Sequence, residues 1–148
     1  MLTAWVSGLV SNADLRGLIP DTCLYIDWPE QVIGSSGWVP MFRAAGFITI
    51  PYGIAKPERS VEVFRGATLL RSRAMSWTVD IERAEQFRQR HSWFGPTAIF
   101  RATVPPEALL ALLERRGEGP PEVVAYPGML VAFGQHGEII PQRGRQES

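Results

Sequence analysis

A chain of 148 residues is long enough to bury one sizeable core, and 45% hydrophobic with 20% charged residues excludes wholesale disorder. Fifteen basic and fifteen acidic residues cancel, so no global field draws the chain to nucleic acid or to an anionic membrane. The basic side comprises fourteen arginines and Lys56 alone; guanidinium forks suit phosphates, although GC-rich coding produces the same bias. Cys23 is the single cysteine, which leaves no internal disulfide and no demand for an oxidising compartment. Its setting, "DTCLYI", is that of a buried, inert thiol. No apolar run approaches the roughly 20 residues of a membrane helix, and "MLTAWVSGLVSNADLRG" lacks a basic leader and a small-residue cleavage site. A cytoplasmic protein without a membrane partner is the expectation.

Residues 1–60 read as helices and loops. "SNADLRGLI" offers Ser11 and Asn12 as caps, and "DWPEQVIG" offers Asp27 with proline in the first turn. In "SSGWVPMFRAAGF" the residues Trp38, Met41, Phe42 and Ala45 share one helix face, which Gly46 ends. "PYGIAKPERS" is a connector rich in proline and glycine. The texture then changes. "VEVF" and "AMSWTV" are short strands, and "DIERAEQFRQRH" is a helix capped by Thr78 or Asp80. Its inward face holds Ile81, Ala84 and Phe87, with Arg88 beside them. "TAIFRATV" is a strand, and "PPEALLALLERRG" has the proline start and glycine stop of a helix. "EVVAYP", "MLVAF" and "EII" are strands, and the tail at 141–148 is frayed. The sum is a single α+β domain, its helical N-terminal part lying beside a small, mostly antiparallel sheet at 61–140.

Three polar residues stand where apolar strand texture stops. Arg65 follows "VEVF" and precedes Gly66-Ala67, where backbone can approach a ligand and a guanidinium can grip a pyrophosphate. Ser76 interrupts an apolar strand just before Trp77, and Glu122 opens "EVVAY". Each alone has an ordinary reading, as a surface cation, a strand-pairing hydroxyl or a solvated strand end. Other chemistries find no footing. His91 and His136 lack ligand spacing with Cys23. There is no Gly-x-Ser-x-Gly elbow, no P-loop and no Gly-x-Gly-x-x-Gly, so any NAD use is not of the Rossmann kind.

Taken in order, Arg65, Ser76 and Glu122 resemble the signature of the ADP-ribosyltransferase superfamily of the arginine/serine/glutamate type. "VFRGA" is similar to its first-strand arginine motif, and "MSWTVDIERAEQF" to its Ser-x-Thr strand and following helix. "TAIFRATVPPEALLALLERRGE" with "EVVAYPGML" looks like the segment that ends in the glutamate-bearing strand. The resemblance spans about 38–131 and is nearest to small bacterial and phage-encoded members with a Ser-Trp-Thr motif. It implies a split β-sheet fold that holds NAD, as substrate and without a metal, in a cleft between two small sheets. Arg65 with Gly66 would bind the phosphates. Ser76 would hold the ribose or the glutamate, with Thr78 in strand support. Glu122 would be the catalytic carboxylate on the ribose hydroxyl. An aromatic wall for nicotinamide is expected from Trp77, Phe87, Trp93 and Phe94, although Phe87 also suits the plain core; His91 lies in the same loop as Trp93 and reads as a surface histidine unless it touches ligand.

The sequence departs from the family pattern in one place. Many members carry Glu or Gln two residues before the catalytic glutamate, where it positions the acceptor. Here that position is Pro120, and Glu118 lies beyond Gly119-Pro120-Pro121. Either Glu118 supplies the missing carboxylate across a bulged loop, or acceptor choice differs. The expected activity is mono-ADP-ribosyl transfer to a macromolecule, most readily a host protein, with nucleic acid not excluded, in a toxin, phage or defence setting. Its rivals are NAD glycohydrolysis and an inactive transferase-like binding module.

Overall fold

The computed structural model describes residues 5–25, 29–50, 55–114 and 119–144; within 20–25 and 29–36 only the backbone path is described. The expected Asp27 cap, the Cys23 side chain and Glu118 lie outside the described parts. Helix α1 (Asn12–Tyr25) begins on a reciprocal cap. Ser11 Oγ accepts from Asp14 N at 3.1 Å, and Asp14 Oδ2 accepts from Ser11 N at 3.0 Å. Those bonds hold the Asp14 carboxyl below its ordinary range, the Ser11 backbone N–H being the larger cause. Helix α2 (Pro29–Ala45) buries Trp38, Met41, Phe42 and Ala45, the face expected from spacing. It stops at Gly46, whose φ of +81° suits glycine. Arg16 ties the two helices together, donating to Ala45 O at 2.7 Å and to Phe47 O at 3.3 Å.

Among the described residues seven strands follow: β1 (Ile48–Ile50), β2 (Val61–Thr68), β3 (Ser76–Trp77), β4 (Thr97–Val104), β5 (Leu109–Leu113), β6 (Glu122–Ala125) and β7 (Val131–Ile140). Helix α3 (Ile81–His91) lies between β3 and β4. The strands form two sheets, one ordered β1-β5-β6-β3 and the other β2-β4-β7, neither closed into a barrel. Only β1 with β5 is parallel among the paired strands. The fold is α+β, with two sheets, as expected at that level. None of the described helices is long and apolar enough to cross a membrane.

Two buried clusters order the layers. One joins Leu15 and Ile19 of α1 and Trp38, Met41 and Phe42 of α2 to Ile48, Leu110, Leu113 and Val124 of the four-stranded sheet. The other joins Trp77, Leu109, Val123 and Ala125 of that sheet to Val63, Ala98, Phe100 and Ala102 of the three-stranded sheet. The four-stranded sheet is therefore covered on both faces, by helices on one side and by the second sheet on the other. This corrects the helix expected over "PPEALLALLERRG". Pro106–Ala108 makes one 3-10 turn and Leu109–Leu113 is a strand. A strand flanked by β1 and β6 and buried on both faces shows a continuous apolar run, not alternation. The leucine-alanine preference for helix gives way to that burial. A register shift between Leu109 and Ala111 then lets Leu110 and Ala111 enter the same cluster. Two smaller differences concern β1, absent from the sequence reading because it is three residues long, and β7, one strand where two were expected.

On the far side of the three-stranded sheet, α3 is seated against Gly66. Asp80 is its N-cap, accepting from Glu82 N at 3.0 Å, and Ala84 is fully buried. A methyl group placed on Gly66 would lie 1.8 Å from Ala84 O and 2.5 Å from Arg88 N. The glycine is thus required by helix packing, where the sequence reading gave it to ligand approach. Ile81, expected on the inward face, is exposed. Phe87 is half-buried, with the guanidinium carbons of Arg83 and Arg90 at 5.3 and 5.4 Å from its ring centre. Since both clashing atoms at Gly66 are backbone, Gly66→Ala should cost about 3 kcal/mol in urea denaturation. Gly134→Ala, with nothing within 4 Å of its added methyl, should cost under about 1 kcal/mol. Equal effects would remove Gly66 from the packing argument.

Candidate active site at the junction of the two sheets

The two sheets meet at an isolated bridge between Phe64 of β2 and Thr78, just past β3. Phe64 N donates to Thr78 O at 2.7 Å, and Thr78 N donates to Phe64 O at 2.9 Å. Arg65 is the next residue. Its strand neighbours Val63 and Ala67 are buried, and Val63 belongs to the cluster between the sheets. Strand alternation gives Arg65 that inner side and Gly66 the outer one. The Arg65 Nε donates to Arg71 O at 3.0 Å, and Nη1 donates to Ser76 O at 2.9 Å. One guanidinium thereby grips both ends of the segment leading from β2 into β3.

Ser76 is paired with Val124 of β6, and Trp77 with Val123. Directly opposed residues of an antiparallel pair share a face, as do residues two apart on one strand. Ser76 and Glu122 are therefore diagonal neighbours on the face that carries Val124. Ser76 Oγ donates to Glu122 Oε1 at 2.5 Å, while Oε2 is shielded from solvent. On its other side Glu122 is in register with Leu113, fully buried in β5. The three residues singled out in sequence are joined through Ser76, which accepts from Arg65 with its carbonyl and donates to Glu122 with its hydroxyl. Thr78 supports the junction. It is buried, bridges the sheets through its backbone, and its Oγ1 accepts from Asp80 N at 3.1 Å.

The expected aromatic wall is differently disposed. Trp77 is 2% exposed, donates from Nε1 to Ala74 O at 2.7 Å and meets the Phe133 ring edge-on at 6.2 Å. It is core, and presents no ring to a ligand. Trp93 and Phe94 are exposed in the turn after α3. Of the tail expected to fray, Gln142 and Arg143 are described and touch that turn, and 145–148 lie outside the described residues. Arg143 N donates to Ser92 O at 2.8 Å, Gln142 Nε2 donates to Trp93 O at 2.9 Å, and the Arg143 guanidinium lies 5.1 Å from the centre of the Trp93 ring.

His91 is placed closer to the site than its sequence reading suggested. It is half-buried at the end of α3, against the Gly66 backbone. Burial holds its imidazole below the ordinary range. The Gly66 backbone opposes this, and the charges of Arg65, Arg90 and Arg71 add to it. The signal was available in the sequence: Ala84, Arg88 and His91 follow i, i+4, i+7 and share the packed face. Arg71 was missed altogether, since a backbone carbonyl leaves no mark in sequence.

Removing the guanidinium in Arg65→Ala strands two carbonyls. It should cost about 1–3 kcal/mol and quicken amide exchange between 69 and 76; unchanged exchange there would show that the loop is held by something else. For His91, the unfolded chain takes up a proton that the folded chain resists. Stability is present above the ordinary histidine pKa of about 6.5 and is lost as pH falls through it. Melting temperature measured from about pH 7.5 down to about pH 5 should drop less for His91→Gln than for the wild type. Comparison with family models, with curated proteins and with solved structures gave no match to any of them.

Proposed function

We propose that the chain is an NAD-dependent mono-ADP-ribosyltransferase with Glu122 as its catalytic carboxylate. The observation that carries this reading is the Arg65–Ser76–Glu122 linkage. Three residues from three strands, in the order the family resemblance requires, are connected by hydrogen bonds at 2.9 and 2.5 Å. Two small sheets joined at one bridge suit the split-sheet architecture that the resemblance implies, but Ser76 and Glu122 share the face of Val124, which packs towards the helices, and not the face turned to the second sheet, where the cleft was expected.

The chemistry follows from the parts. When the bond between nicotinamide and ribose breaks, the bonding pair leaves with the ring, whose positive charge is neutralised. The sugar becomes oxocarbenium-like, as in glycoside hydrolysis. A fixed carboxylate that accepts from a ribose hydroxyl is most valuable at that moment, because the sugar charge exists mainly in the transition state. Ser76 supplies the fixing. Arg65, already used to hold the Ser76 segment, adds positive charge together with Arg71 and Arg90, all of which act on His91. That field suits a pyrophosphate.

Transfer to a macromolecule is the first reading of the second half-reaction. Water as acceptor is favoured by one feature: Pro120 occupies the position at which relatives carry an acceptor-orienting Glu or Gln, and a proline ring can orient no nucleophile. Nicotinamide release from NAD tests the shared step. Glu122→Gln should keep NAD affinity within about threefold and lose about 10²–10³-fold in rate, the range for one transition-state electrostatic contact. Release by the variant at the wild-type rate, or no release and no NAD binding by the wild type, would end the proposal. Label on a macromolecule separates transfer from hydrolysis.

A further inference from the structure

Ser76 and Glu122 share the face of the four-stranded sheet that carries Val124, so a ligand held by the carboxylate lies on that face. Arg65 does not stand there. It takes the side of its buried neighbour Val63, between the sheets, and two of its donors are committed to Arg71 O and Ser76 O. Along β6 from Glu122, alternation brings Val124 and then Tyr126 to one face, and Tyr126 packs against the same buried cluster as Val124. Ser76 pairs with Val124, and Met75 O accepts from Ala125 N at 2.9 Å, so the pairing continues towards Tyr126. Glu122 is thus one diagonal neighbour of Ser76, and Tyr126 is the other.

Over the Tyr126 ring, 4.7 Å from its centre, lies the guanidinium of Arg43, whose Nη2 donates to Met129 Sδ at 3.1 Å. A cation in the last turn of a helix ordinarily serves the final carbonyls. At the end of α2 other donors do this: Gly46 N donates to Phe42 O at 3.0 Å and to Arg43 O at 3.3 Å, and Arg16 donates to Ala45 O and Phe47 O. Arg43 is exposed, and its contacts are a ring and a thioether, a weak acceptor. Neither neutralises its charge. Together they fix where the charge stands, because the Tyr126 ring is lodged on Gly128, where an added methyl would lie 3.3 Å from two of its atoms.

We infer that Arg43 is the anion-binding residue of this face and takes a pyrophosphate whose attached ribose reaches Glu122. Tyr126 is four residues from Glu122, about 13 Å of extended strand, and one extended dinucleotide covers that span. Its path passes Ser76, exposed on the edge strand β3, since Val124 is buried beneath the helices. The planar fork of a guanidinium matches two phosphate oxygens at once. Arg65 then acts through Ser76 as a positioning residue, and two arginines divide what the sequence reading gave to one. That the ligand is NAD rests on the function proposed above; the anion site does not.

The test is isothermal titration calorimetry of the full chain with sodium pyrophosphate, followed by nicotinamide release from NAD. Arg43→Ala should weaken pyrophosphate binding about 10- to 100-fold, the effect of losing hydrogen bonds from a charged donor. Arg43→Lys keeps the charge without the fork and should fall between. Arg65→Ala should stay within about threefold of the wild type, less than one such bond. In NAD cleavage Arg43→Ala should raise KM with little change in kcat, the pattern of lost uniform binding, whereas Arg65→Ala should lower kcat. Far-ultraviolet dichroism certifies each fold, and Arg43→Gln replaces Arg43→Ala if that variant unfolds. No binding by the wild type at about 10 mM pyrophosphate, equal binding by Arg43→Ala, or an equal loss in Arg65→Ala would each overturn the proposal. Pyrophosphate binding that depends on Arg43, without NAD cleavage, would end the function proposed above and leave the anion site standing. NAD cleavage with unchanged KM in Arg43→Ala would do the reverse.

Discussion

The Arg65 guanidinium donates in two directions, to Arg71 O and to Ser76 O, and the candidate site is organised around that grip. The segment between β2 and β3 runs from Leu69 to Met75, and Ala74, Met75 and the Trp77 ring must be buried at its end. A lysine would bring a point charge on a flexible stem, whereas the planar fork fixes two carbonyls at once. Fixing Ser76 O fixes the Ser76 backbone, and with it the hydroxyl that meets Glu122. The geometry at Glu122 is therefore set from the other sheet.

This arrangement depends in turn on how the three-stranded sheet is backed. Gly66 follows Arg65 and faces the opposite way, and α3 comes so close there that no side chain fits. The same contact presses His91 against Gly66 and within the influence of Arg65 and Arg71. Adjacent residues of one strand thus serve opposite faces: Arg65 holds the loop beside the candidate site, and Gly66 admits the helix. The Arg-Gly pair has one structural explanation on each side of the sheet.

Much of this was legible in the sequence, and what was not has identifiable causes. The face of α2 was legible because Trp38, Met41, Phe42 and Ala45 keep helical spacing, and α3 because Asp80 precedes a periodic run. The ordered residues Arg65, Ser76 and Glu122 were legible as a set, and two of the three side chains meet directly. Strand β5 was hidden by burial on both faces, which erases the alternation that marks a strand. Trp77 looked available because it follows Ser76 in the motif, yet strand alternation sends the ring into the core. Gly66 signalled a close approach correctly; sequence could not say that the approaching group is α3.

The last constraint bears on the carboxylate itself. Glu122 is the first residue of β6, and Pro121 immediately precedes it. Proline fixes its own φ and restricts the residue before it, so the chain entering β6 has few conformations to lose. Gly119, with φ of +89°, turns the chain just ahead of these prolines. The carboxylate is then held from three directions: by the stiff entry, by pairing of Glu122 with Leu113, and by the Ser76 hydroxyl. A carboxylate required only for solubility needs none of these. A carboxylate that must meet a short-lived positive charge needs all of them, since a site organised beforehand spends no free energy on reorienting when the charge appears.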